Sequence, residues 1–213
     1  MPLVPKYSLL CFGDSNTWGF VPGTGERYRA DVRWPGVLRE ALGADYWVIE
    51  EGLNGRTTIW DDPAGVGRNG QTYLPPCLQT HRPLDAVILF LGLNDLKPKF
   101  GATAEAIADG ACTLIGLIRQ SGAGIGGGSP RILVISPPRI GRLTGYADQF
   151  DGAQANSARL AACLAAVARQ HGCEFLDISE VISASDIDGI HLDADAHRTL
   201  GMAVADQIQS MRE

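Results

Sequence analysis

The stretch Tyr7-Ser8-Leu9-Leu10-Cys11-Phe12-Gly13-Asp14-Ser15-Asn16-Thr17-Trp18-Gly19 passes from an apolar run, through a glycine, into small polar residues. Read as a strand that turns directly into a helix, it leaves the Ser15 hydroxyl at the turn. Four more short apolar runs follow, at 46–50, 86–91, 131–136 and 174–177. The run 86–91 is apolar at every position, as a strand covered on both faces should be. Longer segments of helical period lie between. Residues 34–42 align Trp34, Val37, Leu38 and Ala41, with Pro35 suited to a first turn. In 103–120 the stripe is Ile107, Ala111, Leu114, Ile115 and Ile118. The segment 151–170 repeats Leu160, Cys163, Leu164 and Val167 and stops at His171-Gly172, where glycine suits the position after a helix. The segment 194–211 aligns Leu200, Val204, Ile208 and Met211. This alternation predicts an α/β fold with a parallel sheet, in a single domain over 1–213. Gly122 to Gly128 reads as a flexible loop between a helix and a strand.

In an open parallel sheet, sites form beyond the carboxyl ends of the strands. Ser15 follows the first strand, Asn54-Gly55 the second, and Gly92-Leu93-Asn94-Asp95 the third; Asp188 and His191 come shortly after the fifth. Four polar motifs therefore converge on one edge. A serine hydroxyl is a weak nucleophile and needs an imidazole to take its proton. His191 is the expected base, and Asp188, three residues earlier, can reach its Nδ1–H across one turn. Asp186 is a rival for the same role. Attack on an ester builds charge on the carbonyl oxygen, which calls for preplaced donors. The expected donors are the backbone N–H of Ser15, the N–H of Gly55 and the Asn94 carboxamide.

Blander readings stand beside these. Gly55 and Asn94-Asp95 are also ordinary turn residues. His171 and His197 read as structural, and His81 as a loop residue ahead of a proline. The cluster Asp186, Asp188, His191, Asp193 and Asp195 resembles a metal site in composition but lacks ligand spacing, so no metal is expected. Of two G-x-G-x-x-G matches, from Gly65 and from Gly122, neither both follows a strand and opens a helix, the context that a dinucleotide demands. G-x-S-x-G is missing around Ser15, so the nucleophile-elbow hydrolase fold is not supported. The net charge of −6 is spread without a basic block, which disfavours nucleic acid and anionic membranes as partners. No apolar run approaches the ~20 residues of a membrane helix, and the start of the chain lacks a signal-peptide pattern. A cytoplasmic protein is expected, with its five cysteines reduced and mostly buried.

Gly13-Asp14-Ser15, Gly55, Gly92-x-Asn94-Asp95 and Asp188-x-x-His191 resemble the four sequence blocks of the SGNH (GDSL) hydrolase family. Asp31-Val32-Arg33-Trp34, Glu50-Glu51-Gly52-Leu53 and Arg56-Thr57-Thr58 are similar to its bacterial arylesterase/acyltransferase branch. The resemblance implies a flavodoxin-like, three-layer α/β/α sandwich with a five-stranded parallel sheet. It implies Ser15 as nucleophile, His191 as base, Asp188 as its partner, and an oxyanion hole of Ser15, Gly55 and Asn94. Asn16 departs from the motif, where leucine is usual, which puts packing or substrate preference in question. The expected activity is hydrolysis of short-chain acyl and aryl esters through an acyl-enzyme, with water or an alcohol as acceptor and no cofactor. Trp18, Ile190 and Leu192 are the expected acyl-pocket residues. Members of the branch form homo-oligomers whose loops narrow the channel; residues 20–33 and 137–150 are the expected walls. The alternatives are a carbohydrate O-deacetylase of the same family and a flavodoxin-like anion-binding module that would not need His191.

Overall fold

The computed structural model of the protein describes residues 5–211. Five strands, β1 (Tyr7–Gly13), β2 (Tyr46–Gly52), β3 (Ala86–Phe90), β4 (Arg131–Ile135) and β5 (Glu174–Leu176), form one sheet in the order β2-β1-β3-β4-β5. Every pairing is parallel, and Leu9 sits between Val48 on one side and Ala86 on the other. The chain reverses its direction of strand addition at β1. The crevice beyond the carboxyl ends of β1 and β3 is therefore where a parallel α/β sheet binds ligands.

Side-chain alternation splits the core into two layers. Leu9, Cys11, Ile88, Phe90, Leu133 and Ile135 face α2 (Trp34–Leu42) and α7 (Ala194–Ser210), meeting Trp34, Leu38, Leu200, Val204 and Ile208. Leu10, Phe12, Val87, Leu89, Ile132 and Val134 face α3 (Gly70–His81), α4 (Ala104–Gln120) and α6 (Gln154–Gln170). Each fully buried aliphatic or aromatic side chain contributes about 1.5–3 kcal/mol relative to exposure. This two-sided burial holds the sheet rigid beneath the loops at its edge. Caps set the helix starts: Thr103 accepts from the Ala106 N–H at 3.2 Å and Asp193 from the Ala196 N–H at 2.8 Å.

The helix Gly70–His81 is not foreseen by apolar period. Pro75 and Pro76 lie inside it and remove two backbone donors. Asn69 offsets this at the start, accepting from the N–H groups of Gln71 and Thr72. His81 consequently ends a helix and is not a loop residue. The glycine-rich 122–128 segment is folded into a tight turn around Ile125–Gly127, with the Gly124 N–H donating to the Gly128 carbonyl at 2.8 Å. Cys11 and Cys77 are buried while Cys112, Cys163 and Cys173 are only half-buried, and all five are free thiols. No helix of the described residues is long and apolar enough to cross a membrane.

Candidate active site

Ser15 opens α1 (Ser15–Trp18), a single turn directly after β1. Asp14 caps it, its Oδ1 accepting from the Asn16 N–H at 3.0 Å. The other polar arm comes from the loop before α7. There the Ser15 Oγ lies 3.0 Å from His191 Nε2, and His191 Nδ1 lies 2.8 Å from Asp188 Oδ2. Asp188 Oδ1 also accepts from the backbone N–H groups of Ile190 and His191, each at 2.9 Å. Burial works to raise the Asp188 carboxyl, but these bonds outweigh it and hold the group below its ordinary range. The rival Asp186 is exposed, and Asp193 is engaged as the cap of α7. Ser15, Asp188 and His191 are all nearly buried, at 4%, 2% and 5% exposure.

Aromatic rings fix the imidazole plane. Phe20 stacks on His191 with centroids 4.1 Å apart, and Tyr146 meets it edge-on at 5.4 Å. Both come from the segments expected to wall the site. Their individual contribution was not legible beforehand, because neither lies near His191 in the chain.

Asn16 clamps the same loop. Its Oδ1 accepts from the Leu192 N–H at 2.9 Å, and its Nδ2 donates to the Ile190 carbonyl at 3.5 Å. The side chain next to the serine thus grips the backbone on either side of His191, which a leucine cannot do. The departure at Asn16 bears on the placement of the imidazole.

On the opposite wall, Asn94 opens a 3-10 turn (Asn94–Leu96) after β3. Its Nδ2 donates to Asp14 Oδ2 at 3.3 Å and to the Arg56 carbonyl at 3.2 Å. Both hydrogens are held by long bonds, so service to an arriving oxyanion means exchanging one of them. Among the described residues the Ser15 and Gly55 backbone N–H groups have no protein acceptor. Gly55 has φ +81°, and a Cβ there would lie 2.8 Å from Arg68 Nε. Burial pushes the Asp14 carboxyl up to about 7 and the Asp95 carboxyl up to about 6. Asp95 accepts from the N–H and hydroxyl of Thr58 on one oxygen, while its other oxygen has no partner.

These residues surround a cleft of about 210 Å³, lined by Ser15, Gly55, Asn94 and His191 together with Phe20, Tyr146, Phe150, Ile190, Lys97 and Arg68. Of the three expected pocket residues, only Ile190 lines it. Leu192 is fully buried in the core layer under α7, where it joins the apolar cluster and leaves the cleft to its neighbours Ile190 and His191. Trp18 packs under the Arg27 guanidinium, 5.1 Å from its ring centroid, and lies outside the cleft lining. Two larger hollows, about 460 Å³ at the amino ends of the strands and about 620 Å³ between α2 and α7, contain neither Ser15 nor a histidine.

A separate group, Glu51, Cys77 and His81, brings three possible metal-ligand atoms within 4.8 Å of one another. His81 Nε2 is already 2.8 Å from Glu51 Oε1, and Tyr73 donates to the other oxygen at 3.1 Å. The buried Arg56 guanidinium, which donates to the Glu51 carbonyl, adds a competing positive charge.

The GDSL-like lipase/acylhydrolase family matches residues 11–199 of this chain. The fold is similar to that of an aryl esterase from M. smegmatis, with a TM-score of 0.91 and 43% identity over 96% of this chain and 99% of that one. A carbohydrate acetylesterase from Sinorhizobium meliloti is similarly near, with a TM-score of 0.93 and 40% identity over 97% of this chain and 100% of that one. A lipolytic G-D-S-L family protein from Veillonella parvula, 16% identical over 94% and 97% of the two chains, shares the fold at a TM-score of 0.64. A search of the curated proteins finds no match.

Proposed function

This chain belongs to the GDSL-like lipase/acylhydrolase family, and on that premise we propose that it hydrolyses short-chain acyl and aryl esters through an acyl-enzyme on Ser15. The observation that carries the reading is the Ser15 Oγ to His191 Nε2 contact of 3.0 Å, backed by Asp188 at 2.8 Å. As Ser15 Oγ bonds to the ester carbonyl carbon, its proton passes to His191 Nε2. The carbonyl π electrons move to the oxygen, where the Ser15 and Gly55 amides and the Asn94 carboxamide would receive them. Collapse expels the alcohol, which takes the proton from His191. Water, deprotonated by the same imidazole, then releases the acid and restores Ser15. Asp188 holds Nδ1–H and so leaves Nε2 as the basic nitrogen.

The small cleft and its rings at Phe20 and Tyr146 favour a short acyl group and an aromatic leaving alcohol. The likeness to the Sinorhizobium acetylesterase supports a second reading, deacetylation of an acetylated carbohydrate, which uses the same steps with a sugar hydroxyl as leaving group. An alcohol replacing water would give acyl transfer. An anion-binding module would leave the His191–Asp188 pair without a role. We further propose a cytoplasmic, homo-oligomeric enzyme; the five free thiols fit a reducing compartment. The test is turnover of a neutral aryl acetate against an acetylated sugar. Release of phenol from the first at a rate set by Ser15 supports the esterase reading, and no turnover of either substrate contradicts it.

A further inference from the structure

We infer that Lys97 and Arg68 form an anion-recognition subsite in the cleft, selecting esters that carry a carboxylate near the scissile acyl group. The inference rests on Ser15 as the nucleophile and adds the chemistry of what is presented to it.

Lys97 closes the same 3-10 turn that presents Asn94, its backbone N–H donating to the Asn94 carbonyl at 3.2 Å. The residue is 8% exposed and lines the cleft beside Ser15. Its Nζ stands 5.3 Å from the Phe150 ring centroid, and among the described residues it has no hydrogen-bond or ion-pair partner. A buried ammonium without a counter-charge is expensive, and long charged side chains are rarely buried unless paired. That burial pushes it down to about 8, so it is still largely charged at neutral pH.

Asp14, Asp62 and Asp95 act on it through space, but among the described residues none is hydrogen-bonded or ion-paired to its Nζ. Asp62 is held by Arg68 Nη1 at 2.9 Å and by Lys99 Nζ at 2.7 Å. Asp14 receives Asn16 and Asn94. Arg68 lies over Gly55 and Gly65 on the same wall, and among the described residues only its Nη1 has an acceptor, which leaves the Nη2 donors for an incoming group. A guanidinium edge and an ammonium together suit a carboxylate: the first supplies a planar fork, the second a point charge. The facing wall, with Phe20, Tyr146 and Ile190, supplies no competing anion. A carboxylate entering the cleft would give Lys97 the direct ion pair that it lacks among the described residues.

The test compares matched esters that differ only in charge. For a carboxylate on the acyl side, phenyl glutarate is set against its ω-carboxamide. For one on the alcohol side, 3-carboxyphenyl acetate is set against 3-carbamoylphenyl acetate. The wild type is expected to favour the carboxylate of at least one pair by about tenfold or more in kcat/KM, and the responding pair identifies the side. Lys97→Met, which keeps the side chain's length, should collapse that ratio, and Arg68→Gln should reduce it. Equal rates within both pairs in the wild type, or a ratio that survives both substitutions, overturns the subsite. Failure of the underlying reading looks different, because then plain phenyl acetate is not turned over at all.

Discussion

Two buried histidines lie six residues apart and lead opposite lives. His191 has a carboxylate behind it, a hydroxyl ahead and a cleft beside it. His197, on α7, accepts from the Trp34 N–H at 3.2 Å, meets the Tyr28 ring edge-on at 5.3 Å and has no partner on Nε2. Burial pushes it down to about 4 and keeps it neutral. Burial alone makes a histidine inert. A carboxylate on one nitrogen and a nucleophile on the other, open to a cleft, make it a base.

The sharpest way to break this contrast is to exchange the fates of the two residues. His191→Ala should lower kcat on an aryl acetate by about 10⁴-fold or more, whereas His197→Leu should leave turnover at neutral pH close to that of the wild type. Comparable losses from both would erase the distinction. Next in size is the opposite wall of the cleft. Asn94→Ala should reduce kcat by roughly 10²–10³-fold with little change in KM if its amide serves the oxyanion, and steady-state kinetics would expose an unaltered kcat.

Asn16→Leu tests the clamp. It leaves the Leu192 N–H without its acceptor and frees the backbone around His191, so kcat should fall about tenfold while the fold persists. An undiminished kcat would reduce Asn16 to a packing residue.

The smallest effects concern stability. His197 is neutral in the folded state, so its contribution is complete above the unfolded value of 6.5 and is lost as pH falls toward about 4. Thermal melts of His197→Leu should therefore lose less stability than the wild type across that acid interval. Asp95 has the reverse sign. Its folded value of about 6 lies above the ordinary 3.8, so its contribution holds at low pH and is lost as pH rises through 6. Asp95→Asn should gain on the wild type over that upper range, and parallel melting curves would contradict the shift.

The sequence made the reacting groups legible because each sits in a short motif at the end of a strand. Ser15, Gly55 and Asn94 follow β1, β2 and β3, and the parallel sheet brings them together. Asp188 and His191 were readable as a pair within one turn. What was not legible came from contacts between distant segments. The Phe20 and Tyr146 rings on His191 arise from separate loops, and Lys97 is marked only by its place in the cleft lining without a direct ion pair among the described residues. Leu192 shows the limit of adjacency, since it follows His191 in the chain yet its side chain lies in the core layer under α7. The helix Gly70–His81 was hidden because two internal prolines argue against a helix that Asn69 and tertiary packing nonetheless sustain.

We propose that the Ser15 oxygen is made nucleophilic by the imidazole beside it. Treating the protein with an aryl fluorophosphonate and mapping the adduct by peptide mass spectrometry tests this most directly. One phosphonylated residue, Ser15, is expected, with labelling abolished in His191→Ala. An unlabelled Ser15 in the wild type, or labelling as fast without the imidazole, would contradict it.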